Sequence, residues 1–334
     1  MCLLNEVYTL YMNNFIEYKN AVADYINQIN FKKEPKELYE PIGYIANLGG
    51  KRFRPLLTLF AAEVFGANQN EAIHAAVAIE LFHNFSLIHD DIMDEAPLRR
   101  GKETVHEKWN LNTGILSGDA MLILAYQYFE NYPPEIFKDL AKLFSRTALE
   151  VCEGQQLDIN FETRNDVNIP EYLKMIEYKT AVLVGAALEM GAIVARTTES
   201  NKRAIYNFGR DLGIAFQLQD DYLDAFGEAA VFGKQIGGDI LENKKTYLYL
   251  RSLEKASDTD KEQLKKWFST KEGSQEKIEV VKALFQKTDA TSDMQQLIEK
   301  YTEKALMQLE SLDIPMQYKD ELKEFAVSLM NRTV

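Results

Sequence analysis

The stretch from Asn70 to Asp94, NEAIHAAVAIELFHNFSLIHDDIMD, decides the fold class of this chain. Its larger apolar residues recur at helical spacing, with alanines between them and without the alternation of a strand: Ile73, Val77, Phe82, Leu87 and Ile88. Alanine is the strongest helix former, and its small side chain lets neighbouring elements approach closely. The stretch therefore predicts one long, mostly buried helix that ends in a cluster of aspartates.

The rest of the chain shows the same helical character. Its eight prolines leave long uninterrupted intervals, such as Pro170 to Pro315. Helical periodicity predicts further helices over 116–131, 134–162, 169–197, 202–226, 246–254, 258–269, 274–289 and 293–310. Two segments with glycines and several basic residues, 95–114 and 227–245, interrupt them. Because no linker or repeat divides the sequence, we predict an all-α fold in a single domain, residues 1–334.

Composition and charge exclude several classes of protein. Hydrophobic residues make up 46% of the 334, enough for a buried core, and a formal net charge of −13 would repel nucleic-acid phosphates. Residues 1–15 lack the basic leading segment and cleavage site of a signal peptide, and no run of apolar residues is long enough to span a membrane. The two cysteines, Cys2 and Cys152, cannot form a disulfide framework. We expect a cytoplasmic protein without a nucleic-acid partner or a membrane span.

The motif D-D-x-x-D occurs twice, each time at the end of an apolar helical stretch. Aspartates at i and i+4 of a helix share one face, and their oxygens suit a hard cation such as Mg²⁺. Crowded carboxylates at a helix C-terminus also repel one another and oppose the helix dipole, so they require a compensating cation. A solvated acidic helix end explains one copy equally well, whereas two copies favour a metal site. The candidate metal ligands are Asp90, Asp91, Asp94, Asp220, Asp221 and Asp224.

Mg²⁺ commonly shares its coordination shell with substrate phosphates, so basic residues should accompany the aspartates. The sequence supplies four such sets: GGKRFRP at 49–55, RRGK at 99–102, Lys179-Thr180, and Lys234 with the KKT of 244–246. Arginine suits bidentate phosphate contacts, and Gly49-Gly50 permits a close backbone approach. Any one of these pairs alone is typical of a solvated surface. Together with the aspartates they indicate a diphosphate ligand.

In this order, the motifs resemble those of the trans-isoprenyl diphosphate synthases, or polyprenyl synthetases, which make geranyl, farnesyl, geranylgeranyl and longer prenyl diphosphates. The resemblance runs from Gly49 to about Thr246 and includes GGKRxRP, HDDxxD followed by RRG, KT, and FQxxDDxxD followed by GK and GD. It implies an all-α fold with about ten helices around a central cavity, and a homodimer. It also implies a short-chain prenyltransferase that uses Mg²⁺, with three ions.

The resemblance also implies roles for single residues. The diphosphate of the acceptor, isopentenyl diphosphate, would be bound by Lys51, Arg54, His83 and Arg100. The principal Mg²⁺ ligands would be Asp90, Asp94 and Asp220, with Asp91, Asp221 and Asp224 in support. The allylic diphosphate (dimethylallyl, geranyl or farnesyl) would be bound by Arg99, Lys179, Thr180, Gln217 and Lys234. His83 alone would otherwise be interpreted as a core histidine on an apolar face.

Product length is expected to be C15–C20, with geranylgeranyl diphosphate favoured over farnesyl diphosphate. In the family, the residues five and four positions before the first aspartate form the floor of the product cavity, and here they are Phe85 and Ser86. On a straight helix, at about 100° per residue, Phe85 lies far from the face of Asp90, so a deeper residue such as Tyr126 is an alternative floor. Plain core packing also accounts for Phe85.

Three other functions stay open at this point. A class I terpene cyclase uses a similar aspartate motif but has no second substrate, so it does not require the GGKRFRP and RRG sets. A noncatalytic regulatory subunit of a prenyl synthase typically lacks one aspartate motif, and both are intact here. A helical scaffold with acidic clusters would bind no diphosphate.

Overall fold

The long apolar stretch begins with a capping box. In the computed structural model, the side chain of Asn68 accepts a hydrogen bond from the backbone N–H of Asn70, and Glu71 accepts one from the N–H of Asn68. These bonds satisfy backbone donors that a helix start leaves open. The helix runs over Gln69–Met93, and Asp94 ends it, as the periodicity predicted.

The structure describes residues 2–227, 236–270 and 274–330, with side chains from residue 15 onward. Almost all of these residues are helical, which confirms the all-α prediction. By its internal contacts the chain divides into two compact units, Met1–Ser145 with Ala186–Arg203 (unit 1) and Arg146–Gly185 with Ala204–Val334 (unit 2). The assignment of one domain stays a prediction. Within the described ranges, no helix combines the length and apolarity needed to cross a membrane.

The elements up to the end of the seventh helix are α1 (Cys2–Gln28), α2 (Lys36–Asn47), α3 (Phe53–Val64), α4 (Gln69–Met93), β1 (Leu98–Arg99), β2 (Lys102–Glu103), α5 (Val105–Lys108), α6 (Leu111–Phe129) and α7 (Pro134–Thr163). They are followed by α8 (Ile169–Ile176), a π-helical segment (Glu177–Ala181), α9 (Val182–Val194), α10 (Glu199–Phe226), α11 (Gly238–Leu241), α12 (Tyr247–Lys255), α13 (Asp258–Ser269), α14 (Gln275–Lys287), α15 (Ala290–Glu310) and α16 (Met316–Met330).

In unit 1, α4 packs against α3 and α6. Large apolar side chains at this contact, including Leu57, Phe60, Ile79 and Phe82, are almost fully buried. Burial of each such side chain contributes on the order of 2 kcal/mol relative to exposure. This packing fixes the C-terminal end of α4, where the first aspartate motif lies.

Unit 2 has its own core. Buried side chains from α10, α11, α13 and α14 meet there, among them Leu218, Ile240, Leu264 and Val281. Leu218 lies three residues before Asp221, so the core holds the helix turn that carries the second aspartate motif.

The segment 95–114, predicted only as an interruption, contains a small hairpin. β1 and β2 pair antiparallel, with Arg99 opposite Lys102. The two residues between them, Arg100 and Gly101, have φ angles of 54° and 73°. Positive φ at both central residues is typical of the tightest hairpin turns, and it is uncommon for a residue other than glycine, asparagine or aspartate. The turn therefore holds Arg100 in a strained conformation that directs its side chain.

The predicted helix over 169–197 differs from the observed structure. α8 ends at Ile176, and the next five residues form a π-helical turn before α9 begins. Periodicity cannot detect one wider turn, because it shifts the helical phase by only a single residue. Single π turns within helices occur frequently at functional sites, and this one carries Lys179 and Thr180.

Candidate active site

The first aspartate motif contains one inward and two outward carboxylates. Asp91 is 1% exposed, and both its oxygens accept from Arg99, at 2.8 Å and 3.1 Å from Nε and 2.5 Å from Nη2. Asp90 is half-buried, and Asp94, one turn further along, is exposed. Arg99 thus neutralises the buried member of the motif.

The second motif repeats this arrangement with different partners. The buried carboxylate of Asp221 accepts from the hydroxyl of Tyr172 at 2.6 Å and from Nε2 of Gln217 at 2.8 Å. Burial, together with the nearby charge of Asp239, raises the pKa of Asp221 to about 8. Asp220 and Asp224, one turn apart, are both half-buried.

Asp239 on α11 adjoins this motif. Its backbone N–H donates to Oδ2 of Asp224 at 3.0 Å. Burial raises the pKa of Asp239 to about 6; Lys244 opposes this shift, and Asp224 adds to it. The side chain of Lys244 lies 3.5 Å from Asp239 and 2.7 Å from Glu242. Sequence reasoning noted the GD pair but gave Asp239 no role.

The outer carboxylates of each motif suit a hard cation. They form two pairs at i and i+4, Asp90 with Asp94 and Asp220 with Asp224, and carboxylate oxygens are preferred Mg²⁺ ligands. Among the residues that the structure describes, no three His, Cys, Asp or Glu side chains are already grouped to hold a metal. Such pairs fit an ion that completes its shell with water and substrate phosphate. The ligand roles of all six aspartates stay predictions; the carboxylates of Asp91 and Asp221 are buried against other side chains.

A cationic group that we call the acceptor cluster lies in unit 1: Lys51, Arg54, His83 and Arg100. Nη1 of Arg54 donates to Nε2 of His83 at 3.2 Å. Burial, and then the charges of Arg54, Arg100 and Arg99, lower the pKa of His83 well below its usual value, so its ring is neutral. Lys51 is exposed. Arg54 thus contacts His83, and the charge of Arg100 acts on the same ring; the roles of all four residues in binding the acceptor stay predictions.

The Gly49-Gly50 turn explains how Arg100 is positioned. The guanidinium of Arg100 donates to the carbonyl of Gly49. A Cβ atom added at Gly50 would lie 2.6 Å from its Cζ, and the φ of Gly50 is +121°. Only glycine permits both this close approach and this backbone conformation.

A buried ion pair that sequence reasoning missed lies beside the acceptor cluster. Nη1 of Arg52 is 3.1 Å from Oε1 of Glu80, which also accepts from Asn84 at 3.3 Å. Both members of the pair are under 10% exposed. Burial lowers the pKa of Arg54 to about 10, and Glu80 opposes that shift. The sequence signal for this pair was Glu80, a charged residue within an apolar helical stretch, which indicates a buried partner of opposite charge.

In unit 2, two of the predicted allylic-diphosphate contacts, Thr180 and Gln217, belong to one hydrogen-bond network. Thr180 donates to Oε1 of Gln217 at 3.2 Å, and Gln217 donates to Asp221. Nζ of Lys179 lies 2.5 Å from Oδ2 of Asp158 on α7. The π turn approaches α7 so closely that a Cβ at Gly154 would overlap the backbone nitrogen of Lys179. Lys234 lies outside the described residues.

Comparison with known proteins identifies the family. The model of the polyprenyl synthetase family matches residues 35–287, which is most of the chain. The chain belongs to the polyprenyl synthetase family. It is 38% identical to a geranylgeranyl pyrophosphate synthase of Geoglobus acetivorans over 296 residues, which are 87% of this chain and 90% of that protein.

Two further relatives agree. A geranylgeranyl diphosphate synthase of Methanosarcina mazei is 43% identical over 229 residues, 68% of this chain and 70% of that protein. A crystal structure of a geranylgeranyl pyrophosphate synthase superposes with a TM-score of 0.88 at 52% identity, covering 97% of this chain and 98% of that one. The motifs quoted from the sequence all lie within the region that the family model matches.

The residues proposed for chain length in this polyprenyl synthetase lie in an aromatic row of unit 1. The ring of Phe85 is 4.7 Å from that of His89 and 5.5 Å from that of Phe82. The ring centroid of Phe82 is 5.1 Å from that of Phe144, which in turn is 4.7 Å from that of Tyr126. The two alternative floor residues, Phe85 and Tyr126, thus lie at different points of one row. Ser86 is half-buried and donates to the carbonyl of His83 at 2.9 Å.

Proposed function

We propose that this chain is a short-chain prenyltransferase that condenses isopentenyl diphosphate with an allylic diphosphate, and that geranylgeranyl diphosphate is its favoured product. The acceptor cluster carries the proposal, because Arg54 donates to His83 and the charge of Arg100 acts on the same ring, so unit 1 holds a cationic group in addition to its aspartate motif. A terpene cyclase has one diphosphate substrate and needs no such group. The names of the relatives support the product.

The aspartates would bind Mg²⁺. We propose Asp90, Asp94 and Asp220 as principal ligands with Asp224 in support, and three ions per active site. When bound, Mg²⁺ supplies positive charge that stabilises the departing diphosphate of the allylic substrate. Asp91 and Asp221 are proposed to support the site from within, as their buried contacts indicate.

The allylic diphosphate would be bound by Arg99, Lys179, Thr180, Gln217 and Lys234. In the reaction, the allylic C–O bond breaks and the diphosphate leaves with the electron pair. Arginine and lysine side chains hold the charge that develops on the diphosphate oxygens, which lowers the barrier to the carbocation. Asp91 holds the guanidinium of Arg99 in one orientation, so little reorganisation is needed.

Lys51, Arg54 and Arg100 would bind the diphosphate of isopentenyl diphosphate, with His83 as a neutral partner. Holding the acceptor in place makes the attack of its double bond on the cation effectively intramolecular. That double bond supplies the electrons of the new C–C bond, and loss of a proton then restores a double bond. Because no general base is evident at the motifs, we propose that the released diphosphate accepts this proton.

Product length would be limited in unit 1 by the aromatic row, with Phe85 and Ser86 nearest the first motif. The primer would be dimethylallyl, geranyl or farnesyl diphosphate. A bulky residue at 85 with a small one at 86 favours C20 over C15 products.

We also propose a homodimer in the cytoplasm. On α6, the exposed face includes Leu116 and Ile123, each 59% exposed and two turns apart, and a second copy would bury them. The low cysteine content, with Cys152 a free thiol, fits a reducing compartment.

The test is incubation of the purified protein with isopentenyl diphosphate, each primer in turn, and Mg²⁺, followed by chromatographic sizing of the products. We expect geranylgeranyl diphosphate from every primer and none without Mg²⁺. Asp90→Ala and Asp220→Ala should each abolish turnover. Release of a hydrocarbon from the allylic substrate alone would establish a cyclase instead, and no turnover with any primer would favour a noncatalytic subunit.

A further inference from the structure

A lysine in unit 2 is buried without a counter-charge. The side chain of Lys277 has no exposed surface, although it stands in the first turn of α14. Its backbone N–H donates to Oγ of Ser274, which caps this helix. A cation near a helix N-terminus opposes the helix dipole, and burial adds a desolvation penalty. Both effects make this lysine an unfavourable choice unless its ammonium group has a specific role.

The ammonium group of Lys277 is surrounded by neutral oxygens. Nζ donates to Oδ1 of Asn243 at 2.7 Å, to the carbonyl of Thr270 at 3.2 Å and to that of Leu241 at 3.4 Å. Within the described parts of the chain, no carboxylate lies within ion-pair distance of it. Three acceptors match the three N–H bonds of an ammonium group. The group therefore joins three chain segments by directed hydrogen bonds.

These bonds fix the turn that follows α11. Asn243 has a φ of 59°, in the left-handed region, and its own Nδ2 donates to the carbonyl of Thr270 at 3.2 Å. Lys277 thus holds both the carbonyl that ends α11 and the side chain of the strained residue two positions later.

The same short segment contacts the second aspartate motif. The backbone N–H groups of Gly237 and Asp239 donate to the carbonyl and the carboxylate of Asp224, at 2.7 Å and 3.0 Å. The backbone N–H of Lys244, next to Asn243, donates to the carbonyl of Asp239 at 2.9 Å. A path of hydrogen bonds therefore leads from Lys277 through Asn243 and α11 to the carboxylate of Asp224.

We propose that Lys277 is a positioning residue for Asp224 and Asp239, and that it acts through Asn243 without touching substrate. The inference rests on the proposed function, which assigns Asp224 to the Mg²⁺ site; Asp239 contacts Asp224 through its backbone N–H. The acceptor cluster is built from other residues, in unit 1, so the lysine should affect one substrate only.

The test compares Lys277→Met with Lys287→Met. Both changes replace a lysine of α14 by a neutral side chain of similar length, but Lys287 is exposed and pairs with Asp260. For Lys277→Met we expect the half-saturating Mg²⁺ concentration and the KM for the allylic diphosphate to rise about tenfold, as for residues that orient metal ligands. The KM for isopentenyl diphosphate should stay within about twofold of wild type. Lys287→Met should match wild type in all three.

Two measurements do not depend on turnover. Calorimetry with a nonhydrolysable allylic diphosphate analogue and Mg²⁺ should show about tenfold weaker binding to Lys277→Met. Hydrogen exchange of peptides covering 237–246 should be faster in this variant and unchanged in Lys287→Met. Asn243→Gly, which keeps the positive φ and removes the acceptor, should reproduce these effects. Combining it with Lys277→Met should add little, because both remove the same contact.

Each result decides between the two proposals. If wild type turns over both substrates and Lys277→Met keeps the wild-type Mg²⁺ dependence and analogue affinity, the positioning role is wrong and the proposed function stands. A lower melting temperature with an equal loss for both substrates would likewise reduce Lys277 to a folding residue. If Lys277→Met does not fold, Asn243→Gly supplies the same comparison. If wild type turns over no primer, the proposed function fails and the inference fails with it.

Discussion

The inward orientation of Asp91 makes a prediction that separates folding from catalysis within one motif. We expect Asp91→Asn to destabilise the protein, although the motif itself is the proposed Mg²⁺ site. The substitution keeps the shape of the side chain but removes the charge that Arg99 contacts through three N–H···O interactions. It also turns one acceptor oxygen into a donor that faces the guanidinium.

The structure sets the size of the effect. A hydrogen bond to a charged group contributes about 1.5–3 kcal/mol, and breaking a fully buried ion pair costs about 3–5 kcal/mol. Asp91 is fully buried, but the side chain of Arg99 is 27% exposed and can recover hydration after the change. We therefore expect a loss of about 2 kcal/mol in the free energy of unfolding. For a chain of 334 residues, that corresponds to a fall of about 3 °C in Tm.

The assay is urea and thermal unfolding of Asp91→Asn, Arg99→Gln and the double variant, with Asp94→Asn as the matched control. Asp94 carries the same change on an exposed side chain at the C-terminal end of α4, where a negative charge opposes the helix dipole. Its stability should stay within about 0.5 kcal/mol of wild type or rise slightly, while its turnover is lost. The double-mutant cycle should give a coupling of about 2 kcal/mol between Asp91 and Arg99.

The reverse pattern would refute this reasoning. If Asp91→Asn unfolds like wild type while Asp94→Asn loses stability, the inward and outward members of the motif are misassigned. A coupling near zero in the cycle would show that the ion pair with Arg99 does not stabilise the fold.

Three further predictions concern the substrates and the product. Arg100→Ala should raise the KM for isopentenyl diphosphate, whereas Arg99→Ala should raise the KM for the allylic diphosphate. Steady-state kinetics with each substrate varied in turn checks this, and equal effects on both substrates would contradict separate binding groups. Gly50→Ala should weaken acceptor binding about tenfold or more, because the new Cβ displaces the Arg100 guanidinium and the positive φ costs about 1–3 kcal/mol; an unchanged KM for isopentenyl diphosphate would count against the Arg100 role. Phe85→Ala should lengthen the product beyond C20 in a sizing assay and should lower the free energy of unfolding by about 3–5 kcal/mol. An unchanged product length, or C30 and longer products from wild type, would show that Phe85 is not the floor, and Tyr126→Ala would then be the next variant to test.

The helices could be predicted because their signals are local. The 3.6-residue period and the low proline content place most of them within a few residues of the observed bounds. One shifted bound has a side-chain explanation. α6 begins at Leu111 because Asn110 accepts from the N–H of Thr113 at 2.9 Å, which closes the first turn earlier than the apolar pattern indicated.

The path from Lys277 to Asp224 had no signal in the sequence. A lysine near a helix start normally lies in solvent, and nothing around residue 277 marks it as buried. Its partners Leu241, Asn243 and Thr270 come from two other segments of the chain. Only the packing of unit 2 brings their oxygens together, so the role of this lysine follows from tertiary structure alone.

The sequence indicates in part which aspartate of each motif is buried. Asp91 stands three and seven residues after Ile88 and Asn84, and Asp221 stands three and seven after Leu218 and Ile214, so helical phase places each on a buried face. The sequence did not indicate which side chains contact these two aspartates, and the two motifs have different partners. Asp91 is balanced by a guanidinium brought back by a hairpin, whereas Asp221 relies on neutral donors, one of them 49 residues away, and on a raised pKa.

That difference has a physical consequence for the charge around each motif. In the first motif, the inward member pairs with Arg99 and holds this cationic side chain in one orientation. Among the residues that the structure describes, the inward member of the second motif contacts neutral donors, and burial favours the neutral carboxyl form of Asp221. The two copies of D-D-x-x-D therefore have outer carboxylate pairs of the same spacing, but the charges around these pairs differ. Because both motifs have the same pattern, the surrounding fold, and not the motif itself, sets how much negative charge each motif offers to a cation.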